Sequence, residues 1–127
     1  MIIVLIHWRI KPTKKDIDEF LEFWRKTAIV EDRSGMVGEF LSTLESPQKL
    51  PYITWNLDDK PESYTSFINV GFWQDEEAFS EQIARYFDDT KPIKSFEEVR
   101  RVRTVLRPKC WRIGDRALPH HDSGGVL

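Results

Sequence analysis

Cysteine is nearly absent from this sequence, and so is any surplus of charge. A single Cys110 stands in 127 residues, so neither an internal disulfide nor a multi-thiolate metal site can form, a pattern suited to a reducing, cytoplasmic location. Nineteen Lys and Arg against 21 Asp and Glu leave a net charge of −2. That balance gives no general attraction to phosphate backbones, and no nucleic-acid partner is expected. Long apolar runs are missing too. The longest, Ile2 to Ile6, falls far short of the ~20 residues a membrane-spanning helix needs, and His7 and Arg9 follow it at once. Neither a membrane span nor a signal peptide is expected. No Gly-rich phosphate loop, paired-cysteine motif or nucleophile elbow occurs, so nucleotide-dependent chemistry has no motif here.

Aromatic residues are plentiful. Five Trp and eight Phe within a 40% hydrophobic fraction supply a packed interior, and 31% charged residues supply a solvated exterior. The length predicts one domain.

Residues 2 to 10 alternate, with Ile2, Val4, Ile6, Trp8 and Ile10 on one side and Ile3, Leu5, His7 and Arg9 on the other, which predicts a strand. Pro12 closes it, and Thr13 with Asp16 predicts a capped helix over about 14 to 29. Its apolar stripe is Ile17, Phe20, Leu21, Trp24 and Ala28. A turn at Arg33 to Gly35 leads to a second alternating segment, 36 to 46. From 47 to 63 the prolines and Asp58-Asp59 predict a long loop, with room for a short strand at Tyr52 to Trp55. Strand character returns at 64 to 73, placing Phe67, Asn69, Gly71 and Trp73 on one side. Asp75, Glu76 and Glu77 open a second helix running to about Asp88. A last strand is expected near 99 to 107, with a continuation or fifth strand at Cys110 to Ile113 after Pro108. Residues 114–127 read as a loose tail.

The order strand, helix, strand, strand, helix, strand is the split βαβ pattern of an α+β, ferredoxin-like βαββαβ domain with an antiparallel sheet, spanning 1–113. Two helices cover only one face of a four-stranded sheet, yet these strands are apolar on both sides. The simplest cover for the second face is a second copy of the chain, so a homodimer is expected.

Phe72-Trp73-Gln74-Asp75-Glu76-Glu77-Ala78-Phe79 resembles the antibiotic biosynthesis monooxygenase-like group of dimeric α+β barrel proteins. There, a strand ending in Trp commonly leads into a helix opening with acids, Ala and a large apolar residue. The resemblance extends over roughly residues 1 to 113 in element order. It implies a homodimeric barrel with a cavity, in a group that includes cofactor-independent oxygenases of aromatic polyketides, haem-degrading enzymes and proteins without known activity. Haem-degrading members use a His on the helix after the Trp strand. In this sequence the matching position lies near Gln82, and no His occurs between His7 and His120, so no haem or other cofactor is expected.

Several residues are candidates for chemistry, each with a structural alternative. His7, beside Arg9, is placed for a general base or for orienting a phenol or carboxylate; equally, it is a half-buried strand histidine with a local partner. Asn69 is placed for an oxyanion donor and Trp73 for a stacking wall, or both are plain sheet-face residues. Trp8 and Phe67 would complete the apolar lining. Arg101, Arg103 and Arg107 share one side of the last strand, for an anionic ligand or for pairing with Glu39 and Glu45 across the sheet. His120, His121 and Asp122 sit in a Gly-rich segment and do not constitute a preorganised metal site. Cys110 reads as a small buried residue. The expected function is binding of a small hydrophobic or aromatic molecule, with cofactor-independent monooxygenase chemistry as its enzymatic form, His7 as base and Asn69 as oxyanion donor. The alternative is a non-catalytic ligand-binding or interaction protein.

Overall fold

The computed structural model describes residues 1–45, 50–54, 57 and 60–115. The chain runs β1 (Ile2–Ile10), α1 (Lys14–Lys26), β2 (Met36–Thr43), β3 (Thr65–Trp73), α2 (Glu76–Gln82) with a 3-10 turn at Ala84–Tyr86, and β4 (Glu97–Leu106). The strands form one antiparallel sheet in the order β2-β3-β1-β4. This is the α+β, ferredoxin-like arrangement that the element order predicts.

Both helices start where side chains supply the missing acceptors. The Thr13 hydroxyl accepts from the Asp16 amide at 3.2 Å, and the Asp75 carboxylate accepts from the Ala78 amide at 2.9 Å. On the wet side of α1, Lys14–Asp18, Lys15–Glu19 and Glu22–Lys26 pair one turn apart, solvent-screened contacts that support the helix only weakly.

The helices cover one face of the sheet. Ile2, Val4, Ile6, Trp8 and Ile10 of β1 are all buried there, with Phe67 and Trp73 of β3. Phe20 of α1, fully buried, lies 5.0 Å from Trp8, 5.1 Å from Phe67 and 5.6 Å from Phe96 between ring centroids. At the other end Trp73 meets Phe79 of α2 edge-on at 5.5 Å. Gly71 makes room for this indole: a Cβ there would stand 2.9 Å from Trp73 Nε1. Gly35 lets the turn before β2 close on α2, where a Cβ would meet Ala78 Cβ at 2.4 Å.

Among the described residues, no helix lies over the second face. Ile3 and Leu5 of β1, Ile68, Val70 and Phe72 of β3, and Phe40 of β2 are only partly buried, and Val102 and Leu106 of β4 are 51% and 42% exposed.

Four local expectations are corrected. The second helix stops at Gln82 instead of running to Asp88, because the chain leaves helical geometry at Ile83 and turns through Ala84–Tyr86. That turn carries Phe87 to 6.0 Å from Phe79 and under the Arg103 guanidinium at 3.9 Å, so tertiary packing overrides the helical periodicity. No fifth strand forms at 110–113, and Cys110 is exposed rather than buried. Pro108 removes a ladder donor, and no neighbouring strand lies beyond β4 at that edge to pair with the segment. Within 52–54 the chain makes a turn and not a strand; Trp55, most of the 114–127 segment and the His120, His121, Asp122 group lie outside the described residues.

Candidate functional site

The sequence-predicted site residues divide between the two faces of the sheet. Register decides this: Asn69 is the cross-strand partner of Ile6, and His7 that of Ile68, so the His7 and Asn69 side chains project on opposite sides. The two residues expected to act as base and oxyanion donor are therefore separated by the sheet itself.

On the helix face, Trp8, Phe67, Asn69 and Trp73 are all buried. Trp8 packs between Phe20 and Arg101, whose guanidinium carbon is 4.3 Å from its ring centroid. These aromatics pack within the interior. Asn69 has a partner that strand-by-strand reading did not find. Its amide donates to Glu39 Oε1 at 2.7 Å, while Asn69 Oδ1 is buried with no hydrogen-bond partner. Burial pushes the Glu39 carboxyl above its ordinary value of 4.5, and the Asn69 amide and the Arg33 charge offset this only in part. The signal for this pair lay in the β2–β3 register, which places Glu39 opposite Gly71 and next but one to Asn69.

The pair yields a prediction. A carboxyl whose folded value is raised stabilises the fold fully only below the unfolded value and loses that contribution as pH rises through the raised one. Glu39→Gln is neutral at every pH and keeps an acceptor for the Asn69 amide. It should raise the melting temperature at pH 7 by the equivalent of about 1 kcal/mol or more. The gain should shrink as pH falls toward 4.5. Melting curves of both proteins across that range check the sign.

On the open face, His7 and Arg9 form a polar corner beside the apolar field. His7 Nε2 and Ser66 Oγ are 2.9 Å apart, a diagonal pair across β1 and β3. Arg9 Nη2 donates to the Arg100 carbonyl at 2.6 Å, and its guanidinium carbon stands 5.9 Å from the centroid of the buried Tyr64 ring. Among the described residues assigned to this face by register, none is a carboxylate. An imidazole so placed can accept or deliver a proton to a phenol or enol lying on the apolar strands, and Arg9 is a fixed cation next to it.

No family model and no curated protein matches this chain. The arginines of β4 do not reach Glu39 or Glu45 because β2 and β4 lie at opposite edges of the sheet. Arg101 pairs instead with Glu97, Arg103 with Asp89, and Arg107 with Glu76.

Proposed function

We propose that two copies of this chain pack their open sheet faces together as a dimeric α+β barrel, and that the enclosed space binds a small hydrophobic or aromatic molecule with His7 as its polar contact. Such an assembly is what the resemblance to the antibiotic biosynthesis monooxygenase-like proteins around Trp73 implies. The observation that carries the proposal is a sheet face that is apolar and, among the described residues register assigns to it, free of carboxylates, with the His7–Ser66 pair near one end of the two central strands. Four strands about 4.8 Å apart and about nine residues long span a plane of roughly 19 by 30 Å. Side-chain relief brings its accessible area toward the ~800 Å² per partner of a standard interface. The face repeats the same apolar surface on each copy, and among the described residues that register assigns to it the one fixed charge is Arg9, near one end of β1 beside His7, so a two-fold pairing need not desolvate a carboxylate.

The geometry supports binding more directly than oxygen chemistry. A cofactor-independent oxygenation would use His7 to deprotonate an electron-rich phenol, but the expected oxyanion donor, Asn69, faces the other way. The closed helix-side interior favours the non-catalytic alternative for Trp8, Phe67 and Trp73, which act there as core.

Val70, opposite Leu5 on β1 and Phe40 on β2, is central to the face. Sedimentation velocity should show a dimer of twice the 15.1 kDa chain. Val70→Asp should weaken it by about 100-fold or more, as expected for a carboxylate desolvated at the middle of an interface. A folded wild-type monomer at micromolar concentration overturns the dimer. For the ligand, fluorescence titration with phenols, quinols and naphthols, followed by oxygen consumption on any binder, is run on wild type and His7→Ala. Identical behaviour of the two proteins on every compound refutes the site.

A further inference from the structure

Away from the open face, between the turn after α2 and the strand β4, lies a cleft of about 340 Å³ whose walls include Lys91, Lys94, Arg100, Arg101 and Arg103. Three carboxylates stand among these five cations: Asp88 in the wall, Asp89 on Arg103 and Arg100, and Glu97 on Arg101. Five against three leaves a surplus of +2 in a chain whose total is −2, so the rest of the molecule carries −4. The cleft is therefore locally positive on a chain of net negative charge, and a compact dianion matches its surplus.

The cations are not equally engaged. Arg101 is committed, held by Glu97 through Nε at 2.9 Å and Nη2 at 2.7 Å and stacked on Trp8. Arg103 is held differently. Its guanidinium rests on the Phe87 ring, which fixes the plane, and its contacts to Asp89 come from Nη1 alone, at 2.9 and 3.1 Å; its buried Nε has no hydrogen-bond partner. The Asp89 side chain is itself 58% exposed, and Arg100 Nη1 stands 3.7 Å from the same Oδ1 that Arg103 contacts. A solvent-facing carboxylate lying across two guanidiniums occupies the position an external oxyanion would take. Lys91 and Lys94 add point charges to the cleft wall, Lys94 with its Nζ 5.4 Å from the centroid of the Phe23 ring.

We propose that this cleft binds the phosphate dianion of a small phosphate monoester, displacing the Asp89 carboxylate from Arg103 and Arg100. A dianion satisfies the +2 surplus that a monocarboxylate leaves half met. Tyr86, 67% exposed and in the cleft wall, offers a ring face to the ester group.

The test is isothermal titration of the full chain with phenyl phosphate, inorganic phosphate and benzoate at low salt. Phenyl phosphate should bind with a dissociation constant below about 1 mM, inorganic phosphate more weakly, and benzoate at least about tenfold more weakly than phenyl phosphate. Asp89→Asn removes the internal competitor and should tighten phenyl phosphate several-fold. Lys91→Gln/Arg100→Gln should weaken it about tenfold or more. Because Arg100 also donates to the Lys91 carbonyl at 2.7 Å, Lys91→Gln/Lys94→Gln serves as a second variant that leaves the described side-chain hydrogen bonds intact and should also weaken binding. Absence of binding in Asp89→Asn, equal binding of benzoate, or affinity unchanged in both double variants overturns the proposal.

Discussion

Phe20→Ala should lower stability by about 3–5 kcal/mol, the cost of removing a fully buried ring and leaving its space incompletely filled. For a chain of this length that corresponds to a melting temperature lower by roughly 10–20 °C. The size follows from position. Phe20 is the point of α1 that touches β1 through Trp8, β3 through Phe67 and the segment before β4 through Phe96, so the cavity would open where three elements meet. Phe20→Leu should cost less than half as much, because a branched aliphatic side chain refills part of the volume. Calorimetric unfolding of the three proteins decides it. A loss below about 1 kcal/mol for the alanine variant would mean that the helix is not anchored through this ring.

Glu97→Ala should be of similar size through different physics. The Glu97 side chain is completely buried, accepts from the Lys94 amide at 2.8 Å and holds Arg101 by two guanidinium nitrogens. Removing one member of a buried pair leaves the other charge uncompensated and costs about 3–5 kcal/mol. Arg101 would then stand on Trp8 without its counter-ion, and the Lys94 amide would lose its acceptor. Glu97→Gln keeps an acceptor and the shape while losing the charge, so it should fall between wild type and alanine. Urea unfolding of the series gives the order. If the glutamine variant were as stable as wild type, the carboxylate charge would contribute nothing beyond a hydrogen bond.

Much of the architecture is legible in local pattern. The alternation of β1 correctly assigns Ile2, Val4, Ile6, Trp8 and Ile10 to one buried face, and the observed strand has the expected limits. Thr13 and Asp75 mark the starts of the helices because capping is a local interaction between residues three apart. Phe23 escapes the predicted stripe yet packs 5.4 Å from Phe96, because the segment before β4 folds over a flank of α1 that periodicity treats as rim.

The candidate site was less legible, and the reason is register. Alternation assigns His7 and Asn69 to faces of their own strands but leaves open which face of β1 joins which face of β3. Only the pairing of Ile6 with Asn69 decides it. The arginines of β4 show the same limit. Their common side is evident from spacing, whereas their partners depend on strand order, which separates them from β2 and delivers Asp89, Glu97 and Glu76 instead.

The order of elements, the helix caps, the buried stripe of β1 and the existence of a second apolar sheet face were determined by the sequence itself, since each depends on side chains a few residues apart. Which face holds His7, that Glu39 meets Asn69 over a buried orphan oxygen, and that five cations gather beside β4 were decided only by the tertiary structure. Those contacts join residues tens of positions apart, and the strand register that sets them is a property of the whole sheet rather than of any segment within it.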